Sequence, residues 1–134
     1  MPAPLDAIEV VTLFVDDIAT TKAFYRKVFE PEILFEDEVS AVLQFNGAMI
    51  NLLQASEAPE LVAPRPVAPS GTGPRVMFTI RVDDVDAVCA SLRSKGVAML
   101  NGPIDRPWGR RTAAFQDPSG HVWELAQVLT SSES

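Results

Sequence analysis

An α+β fold built from two tandem βαβββ modules is predicted by three features of this 134-residue chain. A short pattern occurs twice, since Thr12-Leu13-Phe14-Val15-Asp16-Asp17-Ile18 returns as Thr79-Ile80-Arg81-Val82-Asp83-Asp84-Val85, sharing T-x-x-V-D-D-aliphatic. Each copy leads into a stripe of apolar residues at helical spacing and then into three short runs suited to strands. Between the copies, residues 55–74 carry five prolines and two glycines with neither helical nor alternating periodicity, as a linker joining two halves would. The expected organisation is a single domain over 1–134, with modules at about 8–54 and 75–129; this length suits one domain.

The first strand is read at Glu9–Val15, rich in β-branched and aromatic residues and stopped by Asp16-Asp17. From Ile18 to Phe29 apolar residues recur on one helical face. Asp17 is placed to accept orphan amide protons at the N-terminus, and Pro31 blocks continuation. Strands follow at Ile33–Phe35, Val39–Phe45 and Met49–Leu53, the last two joined through Asn46-Gly47. In the second half Val85, Val88, Cys89 and Leu92 form the helical stripe, with Asp84 as cap and Gly96 placed to end the helix. The remaining strands are expected at Val97–Leu100, Arg111–Gln116 and His121–Val128, the last two turning at Asp117-Pro118-Ser119-Gly120.

Composition excludes several classes. With 47% apolar and 22% charged residues the chain sits at the globular average, which disfavours disorder, collagen and coiled coil. A net charge of −7 has the wrong sign for gripping phosphate backbones, so nucleic acid is not an expected partner. No apolar run approaches the roughly 18 residues of a membrane span, and Met1-Pro-Ala-Pro-Leu-Asp lacks the basic start and apolar stretch of a signal peptide; a cytoplasmic protein with no membrane partner is expected. One cysteine, Cys89, forms no disulfide within the chain, and one histidine, His121, supplies no two-histidine metal site.

The tandem repeat, the strand-VDD-helix opening followed by Phe24-Tyr25, and the closing run Pro107-Trp108-Gly109-Arg110-Arg111 then Phe115-Gln116-Asp117-Pro118-Ser119-Gly120-His121-Val122-Trp123-Glu124-Leu125 together resemble the vicinal oxygen chelate superfamily. That group holds glyoxalase I, extradiol dioxygenases, fosfomycin-resistance enzymes and bleomycin-binding proteins. The likeness covers nearly the whole chain and implies a glyoxalase/bleomycin-resistance/dioxygenase-type curled sheet, with paired concave faces forming a cleft. One departure is Glu30-Pro31, where the family often has glycine after the first helix. In metal-dependent members, His, Gln or Glu ligands project from the first and last strand of each half. The resemblance carries those positions to Val10, Asn51, Met77 and Glu124. Only Glu124 is a good ligand, because valine has no lone pair, a thioether is too soft for Mg, Mn, Ni or Zn, and a neutral amide is a feeble donor. No metal or other cofactor is therefore expected. His121, three residues before Glu124 on a strand, points to the other face and is expected at an exposed turn.

The leading expectation is a metal-independent small-molecule-binding protein resembling the antibiotic-sequestering bleomycin-resistance branch, a homodimer taking an aromatic or cationic ligand. Val10, Phe14, Met77 and Trp108 would supply apolar surface, and Thr12, Asn51, Thr79, Arg81 and Glu124 the orienting polar groups. The alternative is a glyoxalase-like lyase or isomerase acting on a small carbonyl compound, with Glu124 as catalytic base or as ligand to a divalent metal. Each side chain also has a plain structural role open to it. Glu124 could pair with Arg81 or Arg111, Trp108 could anchor its loop, and Arg81, Arg110 and Arg111 could serve surface ion pairs. Cys89, Phe24 and Tyr25 read as core, and Glu36-Asp37-Glu38 as a solvated turn.

Overall fold

The computed structural model describes residues 5–129, and the chain divides between Pro69 and Ser70, inside the proline-rich stretch, into two compact units. The first unit contains β1 (Val10–Val15), α1 (Ile18–Phe29), β2 (Glu32–Glu36), β3 (Ser40–Phe45), β4 (Ala48–Gln54), a 3-10 turn at Ala55–Glu57 and the one-turn helix α2 (Pro59–Val62). The second contains a 3-10 turn at Ser70–Thr72, then β5 (Met77–Arg81), α3 (Val85–Ser94), β6 (Asn101–Arg106), β7 (Arg110–Gln116) and β8 (Val122–Val128). Each unit is the predicted βαβββ module. The sheets run β1-β4-β3-β2 and β5-β8-β7-β6, with the first strand parallel to the last and every other pairing antiparallel. Among the described residues no helix is long and apolar enough to cross a membrane.

The repeated Asp-Asp earns its place at both helix starts. Asp17 Oδ1 accepts from Ala19 N at 3.1 Å and Thr20 N at 3.4 Å, and Asp84 Oδ1 accepts from Ala87 N at 3.1 Å. A second cap comes from the last strand of each module: Gln54 Oε1 accepts from Ile18 N at 3.0 Å, and Gln127 Oε1 from Val85 N at 2.9 Å. These glutamines tie helix to sheet at equivalent points, a pairing not anticipated from the sequence.

The helix ends differ. Gly96 takes φ +85°, and Gly96 N donates to Arg93 O at 2.9 Å while Val97 N donates to Leu92 O at 3.0 Å. This is a Schellman stop, completed by buried Val97 and Leu92. At the end of α1 the left-handed position falls instead on Glu30, at φ 50°. The departure from the family's glycine thus lands on the residue that needs it, where an L side chain costs about 1 kcal/mol.

One strand assignment is corrected. Val97–Leu100 is not a strand, because Val97 closes the α3 stop; the strand is Asn101–Arg106, displaced toward the C-terminus. Gly102-Pro103 disguises it. An edge strand tolerates proline because its outer N–H has no ladder partner, and the β6–β7 register breaks between Asn101 and Ile104. At φ +87°, Gly102 lies so close to β7 that a Cβ would collide with the Thr112 carbonyl and with Ala113 Cα, 2.7 Å away.

Each helix covers one sheet face. Leu13, Val15, Ile50 and Leu52 are buried on the face that presents Gln54 to α1, together with Ile18 and fully buried Tyr25. Tyr25 stacks on Phe29 at 5.4 Å between ring centroids and meets the half-buried Phe24 edge-on at 5.7 Å. In the second unit Val85, Cys89 and Leu92 bury with Ala113, Phe115, Trp123 and Leu125, and Phe78 lies 4.8 Å from Trp123 between ring centroids. Burying each large apolar side chain contributes about 1.5–3 kcal/mol. Cys89 is core as read, and burial pushes its thiol pKa up, away from reactivity.

Candidate functional site

Strand alternation turns Thr12 and Phe14 to the sheet face opposite Leu13 and Val15, and Met77, Thr79 and Arg81 to the corresponding face of the second unit. On each face one hydroxyl meets a polar side chain from the last strand. Thr12 stands in register with Asn51, whose Nδ2 donates to Thr12 Oγ1 at 3.4 Å. Thr79 stands in register with Glu124 and donates its hydroxyl proton to Glu124 Oε1 at 2.9 Å. Asn51 Oδ1 is buried and accepts no hydrogen bond. Val10, the remaining first-unit candidate, is 39% exposed.

In the second unit Glu124 lines an open hollow of about 580 Å³. Met77, Leu100, Ala114 and Val122 supply apolar wall, and Asn101, Arg75 and Arg106 polar edge. Arg106 comes from the displaced strand β6, paired with Arg110, and its Nε donates to Thr112 Oγ1 at 2.9 Å. Sequence reasoning missed Arg106. It weighed Arg110 and Arg111 on the other side of Trp108, and the misplaced strand left Arg106 outside any sheet. The available signal was its place just before Pro107-Trp108-Gly109, a turn that hands it back across from Arg110.

The other candidates separate. Arg81 lines a different hollow, of about 630 Å³, with Asp83, Asp105 and Gln127. Trp108 is 67% exposed in the β6–β7 turn and lines neither hollow, so it is not the packed loop anchor of the structural alternative. Arg111 is structural: its guanidinium donates to Asp105 Oδ1 and Asp86 Oδ1, both at 2.9 Å, and these bonds raise its pKa further. Neither Arg81 nor Arg111 pairs with Glu124. The acidic turn is exposed but organised, since Glu36 takes a bidentate bond from Arg26 at 2.8 and 2.9 Å.

The expectation for His121 is overturned. It is buried, with Nδ1 2.9 Å from Asp117 Oδ2, while Asp117 Oδ1 accepts from Ser119 N at 2.8 Å and His121 N at 3.0 Å. The Asp117 carboxylate organises the Asp-Pro-Ser-Gly-His turn and engages the imidazole at Nδ1, which gives that buried ring nitrogen a partner inside the protein.

The four positions at which family resemblance would place metal ligands do not make an oxygen–nitrogen coordination set. Val10 has no donor atom, Met77 offers a thioether, and the Asn51 amide is oriented by Thr12. Glu124 is the single carboxylate. Among the described residues no three His, Cys, Asp or Glu side chains gather to hold a metal ion.

Residues 7–125 match the model of the Glyoxalase/Bleomycin resistance protein/Dioxygenase superfamily. The fold is that of a glyoxalase/bleomycin resistance protein/dioxygenase from Nocardioides, at a TM-score of 0.84 and 22% identity, covering 96% of this chain and 87% of that one. An antibiotic-binding protein from Streptomyces, TnmS3, superposes at a TM-score of 0.69 with 26% identity, covering 95% of this chain and 99% of its own. A metallothiol transferase, FosB of Bacillus licheniformis, is 27% identical over 83% of this chain and 68% of its own length.

Proposed function

The chain belongs to the Glyoxalase/Bleomycin resistance protein/Dioxygenase superfamily, and from that premise we propose that it is a metal-independent small-molecule-binding protein, akin in role to the antibiotic-binding TnmS3. One observation carries the reading. The hollow beside Glu124 has apolar walls and a few fixed polar groups, the usual make-up of a ligand pocket, while the paired first-strand positions hold Val10 and Met77. An apolar residue at both converts a coordination site into a wall, which suits shape recognition and removes Lewis-acid activation. A homodimer belongs to the same proposal, since both sheets end in edge strands that a second copy would cover.

The test is a fragment screen by ligand-observed NMR in the presence of EDTA. Binding that survives the chelator and is lost in Met77→Asp is the expected result. Binding that requires added Mn, Ni or Zn contradicts it.

A second reading, a glyoxalase-like lyase or isomerase, draws support from one feature: Thr79 engages Glu124 Oε1 and leaves Oε2 without a protein donor, as a general base would need. Exchange of an α-proton of a small carbonyl compound into deuterated water, abolished by Glu124→Gln, would favour it.

A further inference from the structure

We infer that the hollow of the second unit is built for a zwitterionic small molecule, one carrying an anionic group and an ammonium at opposite ends of a short apolar chain. The inference rests on the reading of this hollow as a ligand pocket and names what it takes.

Arg106 and Glu124 line the same hollow and form no ion pair with each other. Both side chains are flexible, and opposite charges in one cavity attract each other. Here each is held by a neutral hydroxyl. Thr79 fixes Glu124 Oε1, and Thr112 fixes Arg106 Nε, both at 2.9 Å.

Neither anchor exhausts its partner. Glu124 keeps Oε2, and the guanidinium keeps both terminal nitrogens, since one of its five N–H donors is spent. A threonine neutralises nothing, so each residue retains its full charge for a third party. The fixed geometry also supplies preorganisation, which reduces the ordering cost of binding.

Register places the anchor of Arg106 relative to Glu124. Ala114 lies opposite Glu124 and Thr112 opposite Ala126, so the anchoring Thr112 and Glu124 are diagonal neighbours on one face of β7 and β8. Such Cα atoms are about 7–8 Å apart. Met77, Ala114 and Val122 line the hollow that these charges share, which is apolar wall suited to methylene groups. This narrows the aromatic or cationic ligand expected from sequence, because a bare cation at Glu124 would also meet the positive charge of Arg106.

The test uses four probes with the same five-carbon chain and the full protein in EDTA: 5-aminovalerate, valerate, pentylammonium and valeramide, titrated by ligand-observed NMR. The zwitterion is expected to bind about tenfold more tightly than valerate or pentylammonium, the scale of one added charge-assisted hydrogen bond, and more tightly still than valeramide, which lacks both charges. Arg106→Gln should erase its advantage over pentylammonium, and Glu124→Gln its advantage over valerate. Should Arg106→Gln fail to fold, the near-isosteric Thr112→Val, which frees Arg106 without removing it, is expected to reduce the same advantage. Equal binding of all four probes, or discrimination that persists in the variants, overturns the charge assignment while leaving the hollow a binding site. Binding of none of the four alongside metal-independent fragment hits overturns it equally, and silence from fragments as well removes the pocket reading with it.

Discussion

The two modules each pair a first-strand threonine with a polar side chain of the last strand at equivalent points of their sheets, yet only one pair carries charge. Thr12 meets Asn51 across β1 and β4, and Thr79 meets Glu124 across β5 and β8, each in direct register. The glutamine caps repeat as well, from Gln54 and from Gln127. What both modules share is therefore scaffold, and what differs is specialised. An amide in the first pair can orient and hydrogen-bond, whereas the carboxylate in the second can read charge or take a proton. Arg106 adds the opposite charge to the hollow that the carboxylate lines.

The largest test of this comparison is Gly102→Ala. In the first module the edge-strand irregularity between Ile33 and Phe35 accommodates Leu34, while in the second it needs Gly102 against β7. A Cβ there should cost about 2–4 kcal/mol of unfolding free energy in urea titration. It should also displace β6, and Arg106 with it, weakening any ligand that depends on the guanidinium.

The glutamine caps are next. Gln54→Ala and Gln127→Ala should each cost about 1 kcal/mol, by loss of one helix-capping hydrogen bond that spans helix and sheet. Markedly unequal losses would show that the modules do not use the cap alike.

Glu30→Gly and Gly96→Ala sharpen the contrast at the helix ends. Relief of the left-handed strain at Glu30 should raise stability by about 1 kcal/mol, and Gly96→Ala should lower it by a similar amount. Thermal unfolding of both variants measures the difference directly.

The smallest effect is a pH dependence in the acidic turn. Asp37 accepts from Val39 N and Ser40 Oγ, both at 2.9 Å, and these bonds, the Val39 amide foremost, hold its pKa below the ordinary 3.8. A folded pKa below the unfolded one gives stability that is complete above pH 3.8 and lost as pH falls through the lower folded value. Asp37→Asn should flatten that part of the acid unfolding curve.

The elements most legible in the sequence were those whose signals act locally. Asp17 and Asp84 mark helix starts because a short carboxylate bonds amides two or three residues on, and Gly96 marks a stop because its conformation favours glycine. Legibility failed where a residue served its neighbour across the fold. Val97 looked like the start of a strand because it is β-branched and apolar, but its apolar surface completes the α3 stop. His121 looked exposed because it is polar and sits in a turn, and only the carboxylate of Asp117 makes its burial affordable. For the candidate site, Met77 and Thr79 followed from strand period, since alternation sets their face, whereas Glu124 came from the family resemblance. Arg106 followed from neither, because its strand was misplaced and its face depends on the pairing of β6 with β7.

The central claim is that Glu124 serves an organic ligand and not a metal ion. Titration of the purified protein with Mn(II), followed by the electron paramagnetic resonance signal of the free ion, tests it most directly. The account predicts a free-ion signal that tracks the total added, with no stoichiometric uptake by the wild type. Loss of one equivalent of signal per chain, restored in Glu124→Ala, would contradict it.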